Sequence, residues 1–211
     1  MRRFALLGCL LLSGMSGLAY ELLWVRLLSL SFGSTTLSFS TVLAVFFGGL
    51  ALGSFLAGRY LARVVRPVRA YATVEAGLAV LGLALYPVLT HLADVFARFD
   101  PGTGLSGALV RFVFAAPILL LPTVLMGSTL PLMCRALIHE DHEVGTQTAL
   151  IYGINTLGAF LGAYGLTYVS LPHLGMFRSL LVTVGFNLTA AALAFWLSRR
   201  EKPQPRGPRA E

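Results

Sequence analysis

Apolar residues fill long unbroken stretches of this chain, and polar or turn-forming residues gather in short breaks between them. An apolar stretch of about 18 residues or more is long enough to cross a bilayer as a helix. Six such stretches are predicted, at residues 4–30, 37–63, 70–98, 108–137, 146–170 and 176–198. The breaks between them fall at Gly33 to Thr36, Val64 to Arg69, Asp100 to Gly104, His139 to Gly145 and Leu171 to Gly175. Connections this short make successive helices antiparallel neighbours. The predicted architecture is an all-α membrane protein, a six-helix transmembrane domain over residues 1–198. A basic, Pro- and Arg-rich tail at 199–211 follows and is predicted to be disordered.

Composition agrees with the pattern. Of 211 residues, 56% are hydrophobic and only 12% charged. A water-soluble domain carries about a quarter of its residues charged, so most of this surface is expected to meet lipid. The net charge of +7 does not point to nucleic acid, because the basic residues sit at span ends rather than in a patch with interleaved aromatics. Twelve of them, Arg2, Arg3, Arg59, Arg63, Arg66, Arg69, Arg135, Arg199, Arg200, Lys202, Arg206 and Arg209, fall on one side. Arg98, Arg111 and Arg178 fall on the other. The positive-inside rule then predicts both termini on the cytoplasmic side of a bacterial-type inner membrane. The apolar start continues to Leu30 without a small-x-small cleavage site, so it reads as the first span rather than a signal peptide. Cys9 and Cys134 lie in apolar segments without metal-ligand spacing and read as small core residues.

A charge inside the hydrocarbon costs a few kcal/mol, about 3 on the gentlest scale, so each intramembrane ionisable group needs a reason. Glu21 lies about 6 Å past the middle of the first span at 1.5 Å per residue, and Arg26 about 13 Å. Their i,i+5 spacing separates them by about 140° around the helix, which denies them the i,i+4 contact. Glu21 must therefore face a cavity or find an interhelical partner. Glu75 is predicted near the cytoplasmic end of the third span, close to Arg66 and Arg69, as a gate or a salt bridge. Asn155 lies mid-span in IYGINTLGAFLGAYG, flanked by Tyr152 and Thr156, and Tyr20 precedes Glu21. Together these are the candidate substrate-binding residues, although interhelical hydrogen bonding explains an amide equally well.

Gly49 and Gly53, and Gly158 and Gly162, form small-xxx-small pairs that let helix backbones approach closely. Pro117, Pro122 and Pro131 allow the fourth span to bend. The loop HEDHE lacks a metal-binding spacing, and the sequon at Asn187 lies inside a span. No nucleophile with a matching base, phosphate-binding glycine loop or dinucleotide fingerprint is present, so neither a cofactor nor a metal is expected and catalysis is not expected within the chain.

Three segments carry a resemblance. GMSGLAYELLWVRLLSLSFGSTTLSFSTVLAVFFGGLALGS (Gly14 to Ser54), LPTVLMGSTLPLMCR (Leu121 to Arg135) and YGINTLGAFLGAYGLTYVSLPHLG (Tyr152 to Gly175) resemble the membrane domain of spermidine-synthase-like proteins. In that family a domain akin to the major facilitator superfamily precedes a soluble aminopropyltransferase-like domain. The resemblance implies a half-major-facilitator bundle, here ending at Glu211 without the synthase domain. GSFLAGRYLAR, Gly53 to Arg63, is similar to the cytoplasmic gating motif of such transporters. It casts Gly53, Arg59 and Arg63 as gating residues with Arg26, and Glu75 as the carboxylate that the motif otherwise lacks.

Six spans make half of a twelve-helix transporter, and one fixed orientation lets two copies meet only in parallel. The expected function is a homodimeric carrier that moves a small organic cation, a polyamine by the resemblance, or protons by alternating access. The alternative is a membrane scaffold whose basic face, Arg199 to Arg209 with the loop Val64 to Arg69, anchors a separate soluble aminopropyltransferase-like enzyme.

Overall fold

The computed structural model describes residues 1–32, 35–99, 105–138 and 144–205. Within them the chain is helical, with no strand among the described residues. Six helices follow one another: α1 (Arg2–Phe32), α2 (Thr35–Tyr60), α3 (Pro67–Phe99), α4 (Leu105–Leu137), α5 (Val144–Tyr164) and α6 (Leu171–Ser198). Five helical stretches are long and apolar enough to cross a membrane: 2–29, 39–63, 67–92, 112–137 and the continuous 55-residue run 144–198. The expected breaks at Asp100 to Gly104 and His139 to Gly145 fall wholly or mostly outside the described residues.

The expected break at Leu171 to Gly175 takes a different form from a loop. Helical hydrogen bonding runs on through a π-helical turn at Gly165–Ser170, and the chain changes direction at Gly175, whose φ of 74° suits a residue without Cβ. That α5 and α6 run in opposite directions, both against α1 rather than against each other, follows from their neighbours. One core cluster joins Leu6 and Leu10 of α1 to Ile151, near the start of α5, and to Ala194 and Leu197, at the end of α6. The other joins Tyr20, Trp24 and Leu28 of α1 to Leu166 and to Leu180 and Val184 at the start of α6. The first cluster also holds Tyr71 of α3 and Met133 of α4, so both termini lie at one end of the bundle, among the arginines.

Glycine decides which helices touch. A side chain at Gly158 or Gly162 of α5 would overlap the backbone carbonyls of Leu11 or Met15 of α1, and one at Gly14 of α1 would meet the Asn155 carbonyl of α5. In the same way Gly49 and Gly53 of α2 sit on Thr123 and Val124 of α4, while Gly127 of α4 sits on Leu50 of α2. Both small-xxx-small pairs are thus intramolecular crossings. Gly127 lies 113 residues after Gly14, and Gly158 and Gly162 lie 109 after Gly49 and Gly53. Exchanging α1 with α4, α2 with α5 and α3 with α6 leaves the main pairings unchanged, α3 on α6 included. Because α1 leaves the arginine-rich end and α4 returns to it, the second three-helix unit is an upside-down copy of the first.

Pro131 has no N–H to give the carbonyl of Gly127, four residues before it. The Ser54 hydroxyl of α2 donates to that carbonyl at 2.8 Å, converting a helix defect into an interhelical tie. At the arginine-rich end, Arg3 of α1 donates to the Gln147 amide oxygen of α5. Residues 199–205, assigned by sequence to a structureless tail, lie against the ends of α3 and α4. Residues 206–211 fall outside the described residues. The Glu201 carboxylate accepts the backbone N–H groups of Val68 and Arg69 at 2.9 and 3.2 Å, capping α3 just behind Pro67 with negative charge at its positive pole. Glu201→Ala is expected to cost about 1 kcal/mol, the ordinary worth of a cap, read as a fall of the thermal midpoint in detergent.

Candidate functional site

Two close pairs, α1 with α5 and α2 with α4, lie side by side, and the glycines that draw each pair together strip side-chain bulk from the seam between them. A cleft of about 510 Å³ opens there, lined by all four helices. Ser13 and Ser16 come from α1, Phe47 and Ser54 from α2, Thr129 from α4, and the Tyr152, Asn155 and Thr156 cluster from α5. Asn155 faces the cleft because its own backbone is pinned on Gly14, one helix turn from the Gly158 crossing. Tyr152 is 61% exposed and stands at the rim.

The lining is rich in acceptors. Ser16 donates to the Ser13 carbonyl at 2.9 Å, Thr129 to the Met126 carbonyl at 2.7 Å, and Ser54 to Gly127 as described. With their protons committed to backbone, these hydroxyls turn lone pairs outward. No Lys, Arg or His lines the cleft among the described residues. A ligand bearing several N–H donors finds acceptors on this otherwise largely apolar surface, while Asn155, Tyr152 and Thr156 keep donors of their own.

The structure brings together three of the five predicted substrate-binding residues, Asn155, Tyr152 and Thr156. Glu21 is not among the lining residues. It lies on the same side of α1, one turn beyond Gly17 and Leu18, which do line the cleft. It is 5% exposed and has no hydrogen-bond or ion-pair partner among the described residues, consistent with its being out of register with Arg26, which is exposed. Tyr20 turns the other way. Its ring stacks on Trp24 at 5.6 Å and fills the space left by Gly82 of α3, so it is part of the core.

The predicted gate is not assembled. Arg59 and Arg63 are exposed, and Arg63 lies over the Tyr60 ring at 5.1 Å. Gly53 is a packing residue against Val124. Glu75 meets no arginine among the described residues: it is fully buried among α1, α3 and α6, and the Asn187 amide donates to its carboxyl at 2.5 Å. Ser13 and the Tyr71 hydroxyl are its other polar neighbours, and Tyr71 itself donates to the Cys9 carbonyl at 3.0 Å. Glu75 was misplaced because hydropathy measures depth along a helix but not the face. Asn187 was passed over as an unusable sequon. An amide inside an apolar span is itself a signal that a polar partner lies on another helix. The cleft hydroxyls Ser13 and Ser54 were also missed, although each adjoins a packing glycine in sequence.

No family model and no solved structure matches the chain. Among curated proteins it is similar to polyamine aminopropyltransferase 2 of Streptomyces coelicolor, 29% identical over 207 residues, which are 94% of this chain and 35% of that protein. It is also similar to the polyamine aminopropyltransferase of Corynebacterium efficiens, 27% identical over 197 residues, covering 90% of this chain and 34% of the relative. That of Mycobacterium tuberculosis is 29% identical over 198 residues, with 90% and 35% covered. The chain spans about a third of the length of these relatives. They are distant homologues along nearly all of it, and they support the expected polyamine link. They also correct one expectation: proteins named for an enzyme activity match nine-tenths of the chain, which points to an enzyme rather than away from one.

Proposed function

We propose that this chain is the membrane unit of a polyamine-handling protein, a six-span, half-major-facilitator bundle of the spermidine-synthase-like kind that admits a small organic cation to its cleft. The observation that carries this reading is the cleft between the glycine crossings, offering acceptors, free of cationic side chains among the described residues and with Glu21 in register one turn beyond. An inverted pair of three-helix units is the repeat from which each half of a major facilitator transporter is built. With the arginine-rich end in the cytoplasm of an inner membrane, both termini are cytoplasmic.

The cleft opens on the outside of the bundle, where hydroxyls and an amide facing hydrocarbon would cost several kcal/mol. A second copy, parallel and related by a two-fold axis along the membrane normal, covers it and rebuilds a twelve-helix carrier whose two subunits rock about the shared site. The cation moves between acceptors of the two copies, with the Glu21 carboxylates offsetting its charge. The test is uptake of a labelled polyamine into proteoliposomes. Uptake above empty vesicles, reduced at least tenfold by Glu21→Gln, is expected; no uptake, or uptake indifferent to that change, overturns the carrier, and strict monomers in nanodiscs overturn the dimer.

The names of the relatives favour a second reading, in which the protein serves aminopropyl transfer and the cleft holds the polyamine that accepts or carries the aminopropyl group. The basic end, Arg199 to Arg209 with residues 64–69, is then where a soluble aminopropyltransferase-like enzyme docks. Aminopropyl transfer in membranes bearing the chain, above control membranes, supports it. Absence of that activity together with no partner lost on deleting residues 199–211 removes it.

A further inference from the structure

The arginine-rich end holds a second cavity, of about 610 Å³, separate from the cleft and within the basic end that the second reading gives to a soluble enzyme. The tail builds it. With Glu201 fixed on the start of α3, Gln204 donates its backbone N–H to the Val65 carbonyl at 2.8 Å and its side-chain amide to the Arg135 carbonyl at 3.3 Å. Arg135, in the last turn of α4, donates back to the carbonyls of Val64 and Pro205, each at 3.1 Å. Residues 200–205 thus arch over the ends of α3 and α4, and the cavity lies between the arch and Arg2 in the first turn of α1.

Its charge is one-sided. Arg2, Arg135, Arg200 and Lys202 line it, and Glu201 is the only acid that does so among the described residues. Both oxygens of Glu201 are occupied by backbone N–H groups, so it is tied to the α3 terminus. Arg135 spends donors on carbonyls, which leaves Arg2, Arg200 and Lys202 facing one space with no carboxylate paired to them among the described residues. The first turn of α1 carries two arginines and no acid, an arrangement that opposes the helix dipole unless an anion sits beside it. The cavity also lies at the ends of the apolar stretches, where a spanning bundle meets headgroups.

We propose that this cavity binds an anionic phosphate group, carried by an acidic phospholipid headgroup or by a soluble phosphate ester. Guanidinium forks and an ammonium offer phosphate oxygens charge-assisted hydrogen bonds from three sides. The proposal is independent of whether the cleft carries a polyamine.

The test uses the full chain in mild detergent, with bound lipid read by native mass spectrometry and stability by thermal midpoint. Phosphatidylglycerol, phosphatidylcholine and inorganic phosphate are the probes. Variants are the exposed pair Arg200→Gln/Lys202→Gln and, as a charge control at the opposite end, Arg178→Gln. Wild type is expected to retain phosphatidylglycerol about tenfold over phosphatidylcholine, a preference lost in the double variant and kept in Arg178→Gln. A response to phosphatidylglycerol alone assigns the lipid headgroup; an equal midpoint rise with inorganic phosphate assigns a soluble ester. No response of wild type to either anion, or the same loss in Arg178→Gln as in the double variant, overturns the proposal. Thermal midpoints of the lipid-free variants within a degree or two of wild type show that the tail arch is intact.

Discussion

Gly158→Leu is expected to leave little folded protein. At this position the nearest obstacle to a side chain is the Leu11 carbonyl with the backbone behind it, not a rotatable group. The backbones of α1 and α5 would have to separate, and with them Gly14 on Asn155 and Gly162 on Met15. Overpacking a tight site costs about 1–3 kcal/mol where side chains can adjust, and more where only backbone can move. Helix pairs in lipid hold together by such close packing, without a hydrophobic term of their own to absorb the loss. Gly153, on the same helix, has nothing within 4 Å of an added Cβ, so Gly153→Leu is the matched control and is expected to be neutral. The measurement is the monodisperse fraction on size-exclusion chromatography after extraction. Equal yields from the two leucine variants would show that the α1–α5 crossing is not as described.

The second large effect concerns Glu75 and Asn187, the polar pair that ties α3 to α6 in the core. Removing one partner strands the other in a dry site, which costs about 1–3 kcal/mol and more for a group that carries charge. Glu75→Leu and Asn187→Val are therefore each expected to destabilise by about that much. The double variant is expected to be less damaged than the two singles combined, because two apolar groups have no unmet hydrogen bonds. The carboxyl oxygen not bonded to Asn187 and the Asn187 carbonyl oxygen have no partner even in the wild type, so the pair is already imperfectly satisfied. A double-mutant cycle on thermal midpoints reads the coupling. Strict additivity would mean that the two side chains do not interact.

The helices were legible in the sequence because lipid demands long apolar stretches, and that demand is local. Which helices touch was only half legible. GxxxG spacing marked Gly49, Gly53, Gly158 and Gly162 as close approaches, but the partners Thr123, Val124, Leu11 and Met15 depend on the assembled bundle. The inverted repeat was hidden although the pairs Gly49/Gly53 and Gly158/Gly162 were found, because only these and Gly14 and Gly127 mark it, within stretches otherwise unlike one another. The break at Leu171 to Gly175 was legible in place but not in form: helical hydrogen bonding continues up to the turn at Gly175, and hydropathy cannot tell such a turn from a loop.

The candidate site divides along the same line. Asn155, Tyr152 and Thr156 were found as polar groups in an apolar segment, and all three reach the cleft. Tyr20 was included by adjacency to Glu21, although neighbours in a helix point about 100° apart. Glu75 was placed near the arginines by depth, yet its partner is the Asn187 amide on α6, 112 residues later. Glu201 looked like one more charge in a polar tail until the tail's path laid it on the exposed N–H groups of α3.

An odd number of helices in the repeated unit has a geometric outcome for the cleft. The second unit enters the bundle reversed, so the clamp that Gly53 makes toward one end of the bundle has its twin at Gly162 toward the other. Both clamps lie within a helix pair rather than across the seam between the pairs, so each pair is held as one piece on its own side of the cleft.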